Sequence, residues 1–408
     1  MIKVAVMGYG TVGSGVVEVI ENNNELVSRR AGEEMHVKYI LDLRDFPGDP
    51  YEDKVVHDFD IIVNDPEISI VCEVMGGVGA AYKFTKAALE AGKSVCTSNK
   101  ELVAMYGPEL LKLAEANNCN YLFEASVGGG IPVIRPLNDA LTAEKIEAIL
   151  GIVNGTTNYM LTKMEKEGAD YDDVLKQAQQ LGYAELHPEA DVEGHDAGRK
   201  LAILSSLMTG KNVAYEKIYT EGITAISKAD FAYADAAGMT IKLLASSKLQ
   251  EDGSVLAMVA PFLVSKDHPL AMVNDVFNAV FVTGNMLGDA MFYGKGAGKL
   301  PTASAVVADV IECARNLGKT LPCFWDAEEA NLADVAETSK RFFVRAKMSA
   351  RKEVEEAFGP SSWCVMGKLF GEELEDEFGF LTDEMKEKDF NAKCDSLGEN
   401  IVGRIRLA

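Results

Sequence analysis

Short apolar runs, each closed by glycine or a polar turn and followed by a stretch of helical spacing, recur through the first 130 residues. Residues 2–7 (IKVAVM) read as a strand, and the helical pattern behind them continues to about Asn22. Residues 37–41, 61–63, 68–75, 94–97 and 121–124 are further strand candidates, with helices expected at 80–91 and 109–117. Strands that alternate with helices in this way predict a parallel, doubly wound sheet whose ligands collect at the carboxyl ends of the strands. From about 131 the pattern loosens. Strands are expected at 146–153, 218–223, 255–264 and 276–283, with helices at 171–181, 194–209 and 301–316. That set predicts an α+β domain with an open mixed sheet over 131–300, and the helix at about 301–318 is expected to complete the first domain. Residues 322–337 read as a linker. The tail, 338–408, reads as strand 341–348, helix 350–358, strands 362–370 and 376–381, helix 383–396 and strand 400–407, the β-α-β-β-α-β order of a small ferredoxin-like domain.

Between the first strand and helix lies Gly8-Tyr9-Gly10-Thr11-Val12-Gly13. A G-x-G-x-x-G set between strand and helix is the dinucleotide fingerprint: Gly8 makes the turn, Gly10 lets backbone approach a pyrophosphate, and Gly13 allows close packing of helix on strand. The pyrophosphate then sits on the positive helix terminus. Asp42 closes the second strand, where an acid binds ribose hydroxyls and repels a 2′-phosphate, so NAD is favoured over NADP. Arg44, two residues on, carries the opposite signal, and the distance from Gly13 to Asp42 exceeds the usual spacing of about 20 residues.

The densest candidate chemistry is the stretch 178–200, AQQLGYAELHPEADVEGHDAGRK. It holds Glu185, Asp191, Asp196 and Lys200 just ahead of an apolar helix. Asp196 and Lys200 are four apart, so on a helix they share a face and can meet one small polar ligand. The bland alternative is a solvated loop and a surface ion pair; Asp191 has its own, as a cap for the following helix.

Composition narrows the classes. With 63 acids against 40 bases the net charge is −23, which opposes nucleic-acid binding and attachment to anionic membranes. Seven cysteines are scattered without a C-x-x-C pair, as expected of free thiols in a reducing cytoplasm, and the five histidines lack zinc-ligand spacing. No apolar run approaches the ~20 residues of a membrane span, and the chain enters its first strand with no leader pattern.

Together these residues resemble the homoserine dehydrogenases. The family signature is matched in register by Ala178, Gly182, Tyr183, Ala184, Pro188, Asp191, Val192, Gly194, Asp196 and Lys200, and departs at His187, where Asp, Asn or Ser is usual. The glycine motif, Asn99-Lys100, residues 154–159, and Gly296-Ala297-Gly298 with Pro301-Thr302-Ala303 extend the likeness over about 1–318. It implies interconversion of L-homoserine and L-aspartate 4-semialdehyde with NAD(P), in threonine and methionine biosynthesis. It assigns proton transfer to Lys200 and an active-site role to Lys100. Glu185, Asp191 and Asp196 would bind substrate, with Tyr183, Gly155 and Thr156 lining the pocket. Gly8, Gly10, Thr11, Val12, Gly13, Asp42, Gly76, Ser98, Lys100, Gly182 and Gly298 would contact the cofactor. The carbonyls of Glu124, Val127, Gly129 and Ile131 would hold a monovalent cation, usually sodium, although the same glycines also suit a plain turn. The tail resembles an ACT domain but has Ser349-Ala350-Arg351-Lys352 where that family has Asp-x-Pro-Gly, so its role is either oligomerisation alone or oligomerisation with binding of an effector such as threonine; a homodimer or homotetramer is the expected assembly. Two competing readings remain at this level: another amino-acid or semialdehyde dehydrogenase, and a non-catalytic NAD(H) sensor that would not need Lys200 with Glu185 and Asp196.

Overall fold

The structure, a computed structural model, describes residues 1–359, 364–365, 368–369 and 372–408. By contacts the chain forms two compact units: 1–146 with 202–215 and 284–330, and 147–201 with 216–283 and 331–408.

The first unit is built on a parallel sheet in the order Val55–Val56, Met35–Leu41, Ile2–Met7, Ile68–Glu73, Ser94–Thr97, Tyr121–Leu122. This is the doubly wound order, and its reversal beside Ile2–Met7 opens the crevice where such sheets take ligands. Val4, Val6 and Ile70 of the strands pack against Val16, Val17 and Ile20 of the helix Thr11–Asn22, and against Val306 and Val310 of the helix Lys299–Arg315. A late helix therefore closes the core of the N-terminal sheet. Two local expectations are corrected. Residues 61–63 are not a strand but part of the helix Phe59–Val63, because the Asp58 carboxylate caps it by accepting from Asp60 N at 2.9 Å. The helix expected at 109 begins at Lys100, capped by Asn99, and Pro108 lies inside it. An inserted helix, Asn24–Ala31, explains the long approach to Asp42, which still follows directly on the strand Met35–Leu41.

The sheet of the second unit contains, in order, Phe277–Gly284, Ile146–Ile152, Met239–Leu249, Val255–Ser265, Ile401–Leu407, Phe342–Lys347, Glu377–Leu381 and Cys364–Val365. Met239–Leu249 and Val255–Ser265 form a long antiparallel hairpin, pairing from Met239↔Ser265 to Leu249↔Val255. The first of these strands is absent from the sequence reading because Lys242 interrupts its apolar run. That lysine is buried, with Nζ donating to Val273 O at 2.8 Å and Asn274 Oδ1 at 3.0 Å. The strand Gly288–Lys295 and the helix Lys228–Ala236 were likewise unforeseen.

The tail has the strand order 4-1-3-2 of a ferredoxin-like unit over its described residues. Part of the strand expected at 362–370 lies outside them. Its core is aromatic, with Phe342 stacked on Phe390 at 3.7 Å between ring centroids and Phe378 and Phe380 beside them. It does not form a compact unit of its own. The strand Ile401–Leu407 runs parallel to Val255–Ser265, matching Phe262 with Arg406. Residues 322–337 are also more than a linker, since Asp326–Glu329 pairs with Lys211–Asn212 and Trp325 is buried where a Cβ on Gly107 would come within 2.7 Å of its ring.

Arg406 joins the tail to this sheet. Its guanidinium donates to Glu387, to Glu221 Oε2 at 2.6 Å and to the Tyr219 hydroxyl at 2.9 Å. Glu387 and Arg406 are both buried, so removing one partner strands a charge. Arg406→Ala should cost about 3–5 kcal/mol of stability. Chemical denaturation checks this, and an unchanged midpoint would show that the pair does not hold the tail in place.

Candidate active site

In the first unit the three motif glycines differ in what surrounds them. Gly8 has φ of +95°, which favours glycine, and a Cβ there would crowd Val74 O at 3.1 Å. A Cβ on Gly13 would lie 1.8 Å from Gly8 O, so only glycine lets the helix approach the strand this closely. A Cβ on Gly10 would point into open space, with no non-neighbouring atom within 4 Å, which is the room that a phosphate group needs above the helix terminus. Thr11 and Val12 form the first residues of that helix.

Asp42 stands against this loop. Its Oδ2 accepts from Tyr9 N at 2.8 Å, and Arg44 grips both carboxylate oxygens, through Nε at 2.9 Å and Nη2 at 3.0 Å. The guanidinium holds the carboxyl well below the usual carboxylate range. Arg44 thus occupies the acid it was read as competing with, and its side chain remains 64% exposed.

Across the crevice, Gly76 and Gly77 follow the strand Ile68–Glu73, and Ser98 follows Ser94–Thr97. Lys100 is the first residue of its helix and is partly buried. Asn99 supports this corner from two sides: Oδ1 accepts from Leu102 N at 3.1 Å, and Nδ2 donates to Gly77 O at 2.7 Å.

The loop 124–131 turns on Gly128 and Gly129, at φ of +73° and +55°. A Cβ on Gly129 would lie 2.4 Å from Gly296 O, so the loop is packed tightly on the segment ahead of Gly298. Sequence reading assigned Glu124 by its carbonyl alone. Its buried carboxylate also accepts from the amides of Val133, Ile134 and Arg135 at 2.6, 2.8 and 2.7 Å. Asp309 receives Glu124 N at 2.9 Å and pairs with Arg135. Burial and the nearby Glu124 push Asp309 up to about 7, while Arg135 pulls the other way.

The second unit holds the acid–lysine cluster. Asp196 and Lys200 lie on the helix His195–Thr209 and meet at 2.8 Å across one turn, with side chains only 8% and 11% exposed. The ammonium also donates to Val153 O at 2.7 Å, at the end of the strand Ile146–Ile152. Asn154 closes the cluster: its Nδ2 reaches Asp191 Oδ1 at 2.7 Å and Asp196 Oδ2 at 2.9 Å, and its Oδ1 caps the helix Gly155–Glu167 by accepting from Thr157 N. A buried, paired cluster is what the surface ion-pair reading excluded. In the sequence Asn154 stands out only as a member of the segment 154–159; its place ahead of a helix start is the signal that marks it as a cap.

Gly155 and Thr156 open that helix, and Thr156 Oγ1 donates to Tyr183 O at 2.6 Å. Tyr183 packs edge-on against Tyr159 at 5.0 Å between centroids. Gly182, at φ of +74°, makes the turn before it. Glu185 lies exposed in this turn, tied by its carbonyl, which accepts from Gln179 Nε2 at 3.0 Å. His187 is exposed beside Glu189 rather than part of the Asn154 cluster.

Comparison with known proteins identifies the family. Residues 132–311 match the family model described as homoserine dehydrogenase, and residues 8–124 match that of its NAD binding domain. A homoserine dehydrogenase of Synechocystis is 47% identical over 316 residues, covering 76% of this chain and 72% of its own. That of Bacillus subtilis is 43% identical over 324 residues, with 78% and 73% covered. Among solved structures, a homoserine dehydrogenase from Thiobacillus denitrificans superposes with a TM-score of 0.90 at 35% identity, over 100% of this chain and 98% of that one. A hyperthermophilic archaeal homoserine dehydrogenase in complex with NADPH gives 0.66 at 29% identity, over 79% and 99%. A doubly wound sheet with its glycine loop, a buried Asp196–Lys200 pair and relatives of this likeness lead to one conclusion: the chain belongs to the homoserine dehydrogenase family.

Proposed function

We propose that Lys200 carries the proton in the interconversion of L-homoserine and L-aspartate 4-semialdehyde, the reaction of this family. The bound nicotinamide supplies or takes the hydride. The hydroxyl proton of homoserine must move with it, and a positioned acid or base is needed for that. The observation that carries this reading is the pairing of Lys200 with both Asp196 Oδ2 and Val153 O. An ammonium has three donors, and these bonds occupy two, aiming the third in a fixed direction. In reduction that group stabilises a developing alkoxide and then protonates it.

Asp191 and Asp196 hold the polar end of the pocket, with Glu185 in the neighbouring turn as the partner for the substrate ammonium. Asn154 caps Thr157 N, which leaves the first-turn amides of Gly155 and Thr156 as donors for the substrate carboxylate. Tyr183 forms a wall. Lys100, at its helix start beside Ser98, serves the cofactor side together with Gly76.

Gly8, Gly10, Thr11, Val12, Gly13 and Gly298 would hold the dinucleotide, and the family likeness adds Gly182 to that set. NAD fits Asp42 best. A 2′-phosphate would face an ionised carboxylate already bound by Arg44, whereas ribose hydroxyls donate to its oxygens. Sodium is assigned to the carbonyls of Glu124, Val127, Gly129 and Ile131; the successive left-handed glycines that re-aim this loop support the assignment. Met286, Leu287, Met291 and Tyr293 leave apolar surface on the strand Gly288–Lys295 and its turn, which supports a homodimer or homotetramer. The free cysteines of the described residues suit a reducing cytoplasm, and no described helix is long and apolar enough to cross a membrane.

Lys200→Ala should lower kcat by about 10²–10⁴-fold while cofactor still binds. Lys200→Arg should not restore it, since a guanidinium hardly deprotonates. Turnover close to that of the unmodified enzyme in either variant would remove Lys200 from the role.

Asp42→Ala should raise kcat/KM with NADP relative to NAD, because it removes a like charge from the 2′-phosphate and frees Arg44 to meet it. Steady-state kinetics with both cofactors decide. An unmodified enzyme that already prefers NADP would contradict this account of Asp42.

A further inference from the structure

Glu73 is the last residue of the strand Ile68–Glu73, is fully buried, and takes no part in the chemistry above. Thr97 ends the neighbouring strand directly opposite it, so the two side chains share a face of the sheet. Oε1 of Glu73 accepts from Met75 N at 2.9 Å, and Oε2 accepts from the Thr97 hydroxyl at 2.6 Å. The Thr97 oxygen in turn accepts from Asn99 N at 2.9 Å. Asn99 completes the circuit through Nδ2 on Gly77 O at 2.7 Å, and its Oδ1 starts the helix that opens with Lys100.

With the chain itself running from Met75 to Gly77, these bonds close a loop, Glu73–Met75–Gly77–Asn99–Thr97–Glu73. They tie the turn 74–77 to the corner 98–100, both at the carboxyl edge of the sheet. We infer that Glu73 and Thr97 are positioning residues, which hold these two turns at the spacing that the nicotinamide end of the cofactor requires. The inference deepens the cofactor assignment above and rests on it.

The alternative is a buried polar pair that serves stability alone. Space at this position could be filled by an apolar residue without the cost of burying a carboxyl. Burial pushes the Glu73 acid up to about 7 even though Thr97, Met75 and Asn99 all favour its charged form. Tyr121, on the next strand but one, is the titrating group that senses it from the same face; the Tyr121 hydroxyl is itself raised by burial first and by Glu73 second. A carboxylate kept under such conditions accepts two donors that belong to different turns, which an apolar side chain cannot do.

The test uses Thr97→Val, which keeps shape and removes the hydroxyl, Thr97→Ser, which keeps the hydroxyl, Glu73→Gln, and the double variant Glu73→Gln with Thr97→Val. Hydrogen bonds to charged groups are worth about 1.5–3 kcal/mol, so Thr97→Val should lower kcat/KM for the dinucleotide by about 10–100-fold. The KM for homoserine should stay unchanged, Thr97→Ser should recover most of the loss, and the double variant should be no worse than Thr97→Val alone. A merely structural role would move both substrates together or make the two losses add, and either result, or an unchanged Thr97→Val, overturns the inference. Should Glu73→Gln fail to fold, the contrast between valine and serine at 97 still decides. Gly13→Ala separates the two levels, because it should abolish dinucleotide binding by placing a Cβ 1.8 Å from Gly8 O. If Gly13→Ala binds normally, the cofactor assignment fails; if it does not bind while Thr97→Val is unchanged, only the positioning role fails.

Discussion

A lysine and an aspartate that are both almost fully buried must satisfy each other, and the second unit is arranged around that demand. Lys200 and Asp196 supply opposite charges one helical turn apart, but neither is satisfied by a single bond. The remaining partners come from elsewhere in the chain: the carbonyl of Val153 at a strand end, and the amide of Asn154, which spans Asp196 and Asp191. Close packing brings these segments to bonding distance. Gly194, at φ of +85°, turns the chain into the helix, where a Cβ would press on Thr220 at 3.0 Å, and a Cβ on Gly222 would lie 2.1 Å from Val192 O. The same contacts that offset the cost of burying the ions orient Lys200, the group proposed to move the proton.

The two halves of the chemistry rest on one device used twice. Asn99 and Asn154 each close a strand-to-helix turn, cap the helix with the side-chain oxygen, and spend the side-chain NH2 on a distant partner. For Asn99 the partner is the carbonyl of Gly77; for Asn154 it is a pair of carboxylates. In each case the positive end of the following helix lies where an anionic or electron-rich group is proposed to bind. An asparagine does this where serine or aspartate could not, because it offers an acceptor and two donors from one rigid amide.

What could be read from sequence was local. The three glycines declared themselves by spacing between a strand and a helix, and Asp196 with Lys200 by their four-residue separation. The β-α-β-β-α-β order of the tail was legible from its alternation. What was hidden depended on partners far along the chain. Asn154 meets acids 37 and 42 residues away, and nothing in its own neighbourhood announces them. Glu73 looks like the polar end of an apolar run until Thr97 is placed beside it. The strand Met239–Leu249 was masked by Lys242, whose charge is buried and bonded to a carbonyl instead of facing water. Neither the inclusion of the tail strand in the second unit's sheet nor the role of Arg406 has a local signature.

The claim that the buried cluster exists to aim Lys200 is tested most directly at Asn154, which touches both acids and carries no charge of its own. Asn154→Ala, assayed for homoserine turnover and for dinucleotide dissociation in parallel, separates an effect on the substrate side from one on the cofactor side. Losing hydrogen bonds to charged groups, each worth about 1.5–3 kcal/mol, predicts a fall in homoserine kcat/KM of about tenfold or more, with the cofactor dissociation constant unchanged. Homoserine kcat/KM equal to that of the unmodified enzyme would contradict the account.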